Sequence, residues 1–415
     1  MKQETGKYKW ELLALLSAAF FFHQADRAIF GVVLSSIKVE LGLTDSQLGL
    51  VGTSLFATLA VMVPIAGFLG DRLSRKWIIT SSLLFWSLAT AVTGFAQGLR
   101  GLILFRSVAT GSGESFYAPS AYSLVAAYHK KTRSLALSIH QAALYIGVMS
   151  SGFLAGWVAE NWGWRSAFYA FGALGVLLGV AFIFRLRDAP QAEGRSDGKG
   201  EERPTISEAL RVLVRTPSAL LLTAGFCAIV FVNNAYVVWA PAFVQHKFSL
   251  SLIQAGGGAM FYHHAAAFGA IMLGGILTDR MVPTCPSFRL RLQAVALLLG
   301  APMIYWLGMT GDLCMTWIAM AAFGFFRGLF EANTHASLFD VVPPKYRATA
   351  VGLMTMTAFL IGSLSPVLLG RLCDVYGKAH GMAVGFTVLS VAYVVGSAAI
   401  FCSLLFTFRH DRVIE

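Results

Sequence analysis

The sequence predicts an all-helical membrane protein of twelve transmembrane helices, arranged as two pseudosymmetric six-helix bundles. The 415 residues are 56% hydrophobic and only 13% charged, whereas a soluble domain carries about 25% charged residues. Apolar stretches of roughly the 20 residues needed to cross a bilayer recur from Leu12 to Phe408. One long polar stretch, from Arg185 to about Pro217, parts them six and six.

The predicted spans are 12–34, 47–69, 77–97, 102–126, 135–158, 165–186, 218–244, 254–278, 290–309, 313–339, 348–370 and 383–408. They give an N-terminal bundle over 1–186, a cytoplasmic linker over 187–217 and a C-terminal bundle over 218–415. The N-terminal MKQETGKYKW runs into the first apolar stretch without a small-residue cleavage site, so that stretch is expected to remain as a helix. Of the 32 Lys and Arg, six fall in outer loops (Lys38, Arg100, Arg165, Lys247, Arg371, Lys378) when both termini are placed in the cytoplasm. Three more, Arg27, Arg106 and Arg327, lie within spans, and the rest fall inside, so the positive-inside rule sets this orientation in a cell inner membrane. The net charge of +11 therefore reports topology, and no nucleic-acid partner is expected. Five scattered cysteines, Cys227, Cys285, Cys314, Cys373 and Cys402, form no CxxC pair, so neither a disulfide framework, a metal site nor a cofactor is expected.

The linker has the Gly, Ser, Glu and Lys content of a flexible connection in QAEGRSDGKGEERP. The halves repeat one another weakly. RSVATGSGESFYAPSAYSLVAAYHKKTRS in the fourth span answers to RGLFEANTHASLFDVVPPKYRAT in the tenth, and GFLGDRLSRK after the second to GGILTDRM after the eighth.

The most specific motif is Gly70-Asp71-Arg72-Leu73-Ser74-Arg75-Lys76, between the second and third spans. It resembles the signature of the major facilitator superfamily, with Ser74 in place of the usual glycine. Gly70, Asp71, Arg72, Arg75 and Lys76, with Asp279 and Arg280 at the repeat position, are then expected to gate the cytoplasmic side. Asp71 would pair there with a helix end or a basic residue.

An ionisable group at the bilayer centre costs about 2.5–3.5 kcal/mol even on the lenient insertion scale, so it meets a partner or a wet cavity. Asp26, Arg27, Arg106, Glu114, Arg327 and Glu331 are the clear cases. Arg106 and Glu114 lie about 80° apart around one helix and two turns along it. Arg327, Glu331 and His335 follow at i, i+4 and i+8 as one polar stripe, and His23 and Arg27 are four apart with Asp26 beside them. Proton coupling needs a buried carboxyl that exchanges its proton for a basic partner or an anionic substrate. Asp26 and Glu114 are the candidate carriers, with Arg106 shared between carboxylate and substrate; a static Arg106–Glu114 or Arg327–Glu331 bridge is the structural alternative.

HQADRAIF at 23–30, FLGDRLSRKWIITSSLLFWSLATAVTGFA from 68 and RSVATGSGESFYAP from 106 resemble the spinster-like and anion:cation symporter branches of the superfamily. His23-Gln24 departs from the usual Asn-Tyr, and the likeness covers most of 20–180. The resemblance implies proton coupling through Asp26, Arg106 and Glu114. It implies an organic anion as cargo: a sugar acid or other carboxylate in the symporter branch, a lysophospholipid or other amphipathic anion in the spinster branch.

Asn233, Asn234, Tyr236 and Trp239 in the seventh span are further candidates for substrate contact, as are Tyr117, Arg106, Arg327, Glu331 and His335. Tyr117 could instead bond the Glu114 carboxyl, and an amide between helices serves equally as packing glue. The adjacent His263 and His264 point about 100° apart, so one can face a cavity. His140, Gln141 and Asn333 belong to the same class. Gly147 to Gly152 in the fifth span, Gly111 and Gly113 in the fourth, and Gly256 to Gly258 in the eighth suit close helix contact. No HExxH, nucleophile elbow or acidic metal cluster is present, which argues against an enzyme, and a non-transporting sensor would call for a soluble domain. The expectation is a monomeric secondary transporter that moves a small organic anion with protons by alternating access around a midplane cavity.

Overall fold

The computed structural model describes residues 2–70, 73–188 and 206–413, and among them every regular element is helical. Each of the twelve predicted spans falls on helix, and among the described residues ten helices are long and apolar enough to cross a membrane. Asp71 and Arg72 of the 70–76 motif, and most of the linker, lie outside the described residues. Part of the expected flexible connection is ordered: Ile206–Arg215 is a helix. Its sequence ISEALRVLVR places Ala209 and Leu213 one turn apart, and both are buried.

The described residues form two compact units, one comprising 1–200 with 237–261, the other 201–236 with 262–415. In the first, Lys2–Leu41 packs along Arg133–Trp162, and Arg75–Thr93 along Trp164–Arg185. Segment 237–261 belongs to this unit because small residues let backbones touch. A Cβ on Gly31 would lie 2.2 Å from the Val237 carbonyl oxygen, and one on Gly152 2.3 Å from that of Gly256. In the second unit Phe288–Met309 packs along Lys378–Cys402, the counterpart of the pairing between the third and sixth spans.

The repeat read weakly in the sequence is clearer in the backbone. Gly163, just before Trp164–Arg185, and Gly377, just before Lys378–Cys402, have φ of 83° and 79° and occupy corresponding joints of the two halves. Such angles favour glycine, which lacks the Cβ that would clash there. The fourth and tenth spans are both interrupted after their glutamates. The fourth breaks between Thr110–Ser115 and Tyr117–Tyr128, the tenth between Leu313–Glu331 and Thr334–Phe339.

Candidate binding and proton-handling sites

In the first unit the site is built where the first span faces the third and fourth. His23, Asp26, Arg27 and Phe30 share one face of the first helix by their spacing. Opposite them, Arg106 sits in a π-helical segment, Leu102–Ala109, where the widened turn is stitched by the Thr110 hydroxyl donating to the Phe105 carbonyl at 2.8 Å. Segments of this kind often occur at functional sites because they shift a side chain off the regular helical register.

Arg106 is 2% exposed. Its Nη2 donates to the backbone carbonyls of Asp26 at 2.9 Å and Arg27 at 3.3 Å, and its guanidinium lies 6.0 Å from the Phe30 ring centre. Its Nε and Nη1 have no hydrogen-bond partner among the described residues. The carboxyl partner of Glu114 is Arg27, Nε to Oε2 at 2.7 Å, and not Arg106. The static Arg106–Glu114 bridge offered as an alternative is therefore not formed. Asp26 receives the Thr90 hydroxyl on Oδ2 at 3.2 Å, while Asp26 Oδ1 and Glu114 Oε1 have no partner among the described residues. Two buried acids and one buried guanidinium thus hold unspent hydrogen-bonding capacity within one small volume.

His23 supports this arrangement. The Gln24 amide nitrogen can only donate, so the His23 Nδ1 that it meets at 2.9 Å accepts, and Nε2 carries the proton donated to the Glu114 carbonyl at 3.1 Å. Behind it the rings of Phe20, His23, Trp86, Tyr117 and His140 stack or meet edge to face, Phe20 and His140 at 4.4 Å between centres. Tyr117 belongs to this packing. Its hydroxyl donates to the Leu16 carbonyl at 2.5 Å and meets His140 Nε2 at 3.1 Å, so it does not bond the Glu114 carboxyl as one expectation had it. With its proton spent on Leu16, the tyrosine oxygen accepts from His140. The neighbouring Gln141 accepts from the Tyr122 hydroxyl at 2.9 Å.

The second unit holds its own buried arginine. Arg327 reaches Glu331 Oε1 from Nη2 at 2.6 Å and from Nε at 3.0 Å, and its Nη1 lies 3.0 Å from His263 Nε2. Because a guanidinium only donates, that imidazole nitrogen accepts. The contact depends on Gly324, where a Cβ would lie 2.0 Å from the His263 carbonyl oxygen. Tyr236 and Phe323 flank His263 at 4.4 and 4.5 Å between ring centres, and His264 lies edge-on at 4.7 Å. His335 does not continue the stripe from Arg327 and Glu331, because the helix ends at Glu331 and restarts at Thr334. Asn234 is buried, and its amide nitrogen has no hydrogen-bond partner among the described residues; the same holds for the Asn233 amide oxygen. Asn333 is buried at the joint, preceding Thr334–Phe339.

Of the 70–76 motif, Gly70 ends the second helix, and Arg75 opens the third beside Ser74, which caps it and bonds Asp188. Lys76 Nζ donates to the Ile183 carbonyl at 2.9 Å. Asp279 and Arg280 are exposed at the end of Leu252–Met281. The described residues contain no cluster of His, Cys, Asp and Glu able to hold a metal ion.

Residues 16–366 match the sequence pattern of the Major Facilitator Superfamily. The chain belongs to that superfamily. Protein spinster homolog 1 of Xenopus tropicalis is 28% identical over 396 residues, covering 89% of this chain and 74% of the relative. A probable sulfoacetate transporter of Cupriavidus necator is 28% identical over 400 residues, covering 91% and 90%. The crystal structure of a bacterial homolog of the human lysosomal transporter Spinster, inward-facing and unoccupied, superposes with a TM-score of 0.85 at 23% identity, covering 98% of this chain and 99% of that one. This superfamily protein is accordingly a multi-pass membrane transporter and not an enzyme.

Proposed function

We propose that this protein is a proton-coupled secondary transporter of a small organic anion, a sugar acid or other carboxylate or sulfonate, working by alternating access as a monomer in the inner membrane. The observation that carries the reading is the buried set of Asp26, Arg106 and Glu114. Two guanidinium nitrogens and one oxygen on each acid lack hydrogen-bond partners there among the described residues. A carboxyl in that setting gains by taking up a proton, and an arginine with free donors gains by meeting an anion. Within the second unit, Arg327, held by Glu331 and His263, is a further candidate for contact with the cargo, as are Asn233, Asn234 and His335. The relative named for sulfoacetate, matched over nearly its whole length, supports an anionic cargo. The residues of the 70–76 motif with Asp279 and Arg280 would form the cytoplasmic gate.

The spinster relatives favour a second reading, in which the anion is amphipathic, such as a lysophospholipid. Transport by purified protein in liposomes under an imposed pH gradient decides between them, with hexuronates, aldonates, sulfoacetate and lysophospholipids as cargo. Gradient-driven uptake of a small acid, lost in Glu114→Gln and Arg106→Ala, is the expected result. Flux of lysophospholipid alone selects the second reading, and flux indifferent to both substitutions overturns the coupling assignment.

A further inference from the structure

Among the described residues, helix Ile206–Arg215 spends only part of its circumference on the protein. Ala209 and Leu213 are buried and hold the helix against Arg347–Gly362. About 100° further round, Leu210 and Val214 are 48% and 57% exposed. A further 100° on, Arg211 and Arg215 form an exposed stripe that stays net positive with the exposed Glu208 at its edge. A helix standing in water would gain nothing from displaying its leucine and valine there, whereas one lying at a bilayer surface buries that face at the acyl boundary and keeps its arginines at the headgroups.

The neighbouring chain places this helix at that level. Only Thr216 separates it from Pro217–Phe248, a membrane-spanning helix. The Ser218 amide donates to Asp411 at 2.9 Å, and the Ser218 and Thr407 hydroxyls meet at 2.6 Å, so the end of the last span lies at the same height. Leu405 and Phe406 there are 70% and 78% exposed, as suits lipid-facing positions, and Arg409 and Arg412 follow within two turns, both exposed. The hydrocarbon thus gives way to headgroups close to residues 216–218.

We propose that helix Ile206–Arg215 is an interfacial anchor. It rests Leu210 and Val214 in the acyl boundary of the leaflet next to it, and its arginines, with Arg409 and Arg412, bind the headgroups of anionic phospholipids. The occupant is the bilayer, since the exposed cations complement phosphate and the helix is continuous with a span. Neither the cargo nor proton coupling bears on it.

The test places a nitroxide at Val214→Cys or at Arg211→Cys in protein carrying Cys285→Ser, Cys314→Ser and Cys402→Ser. The protein is held in nanodiscs of phosphatidylcholine with or without phosphatidylglycerol, and collision with oxygen is compared with collision with a water-soluble nickel chelate. The expected result is a several-fold higher oxygen-to-nickel ratio at 214 than at 211. That ratio should rise with phosphatidylglycerol, and the rise should vanish in Arg215→Gln/Arg409→Gln. Equal ratios at the two positions would overturn the anchor, as would a position 214 shielded from both reagents, which would mean that protein covers it. A ratio at 214 indifferent to phosphatidylglycerol would overturn the anionic-lipid assignment.

Discussion

Glu114 owes its ionic partner to Arg27, whose Nε stands 2.7 Å from a carboxylate that is itself fully buried. Removing one member of a buried pair strands the other charge, which costs more than the pair's net worth. Arg27→Leu should therefore destabilise the protein by about 3 kcal/mol, the low end of the range for such breaks, because the Arg27 side chain stays 19% exposed. Arg27→Leu/Glu114→Leu should recover most of that loss, and melting of the detergent-solubilised protein by size-exclusion chromatography measures both. If the double variant melts no higher than the single one, the pair is not what stabilises this region. His23 obeys the same logic. His23→Leu keeps much of the bulk but leaves the Glu114 carbonyl without its donor, a loss of about 1–3 kcal/mol. It should also shift the pH profile of transport, because Glu114 is held through that bond; an unmoved profile with lowered stability would reduce His23 to packing.

At the scale of helices, backbone approach decides which side chains can meet. The tenth span touches the eighth at Gly324, and a Cβ there would fall 2.0 Å from a carbonyl oxygen, so Gly324→Ala forces the helices apart and pulls Arg327 from His263. A Cβ on Gly275 would meet nothing within 4 Å, so Gly275→Ala should be neutral or gain a little from helix propensity. Monodisperse yield of fluorescent-protein fusions should therefore fall sharply for the first and hold for the second; equal yields would mean that the contact is readily relaxed. The breaks after Glu114 and Glu331 also belong to this scale. They were not visible in the apolar pattern, since hydropathy continues across Ser115-Phe116-Tyr117 and an interruption of one or two residues leaves no trace in a twenty-residue window. The positive-φ glycines at 163 and 377 each follow an acid and an aromatic ring, Glu160-Asn161-Trp162-Gly163 and Asp374-Val375-Tyr376-Gly377, a likeness present in the sequence but too short to mark them as counterparts without the backbone angles.

For the whole molecule, the charge bias of the loops predicts one orientation. Cysteines introduced at Lys131 and Gly311, both exposed, should report opposite sides of the membrane. In protein lacking Cys285, Cys314 and Cys402, a membrane-impermeant maleimide applied to intact spheroplasts should label Gly311→Cys at once and Lys131→Cys only after lysis. The reverse pattern would invert the topology and move the termini outside. Fold class and the twelve helical segments were readable in advance at this scale, and they agree with the superfamily match over 16–366.

Sequence alone determined that the chain is helical and apolar enough to cross a bilayer many times, where its apolar stretches lie, and which few ionisable residues lie within them. These are local properties: hydropathy is summed along the chain, and an unpaired charge in an apolar run is conspicuous wherever the run is packed. Tertiary structure alone decided who meets whom. Sequence spacing put Arg106 two turns from Glu114 on one helix, yet the π-helical turn and the facing first span gave Glu114 to Arg27 and turned Arg106 toward backbone carbonyls. It likewise gave Tyr117 to Leu16 and His140, and Arg327 to His263 sixty-four residues away. Spacing along a helix specifies the direction in which a side chain leaves its own axis, and nothing in it specifies which neighbouring helix lies in that direction.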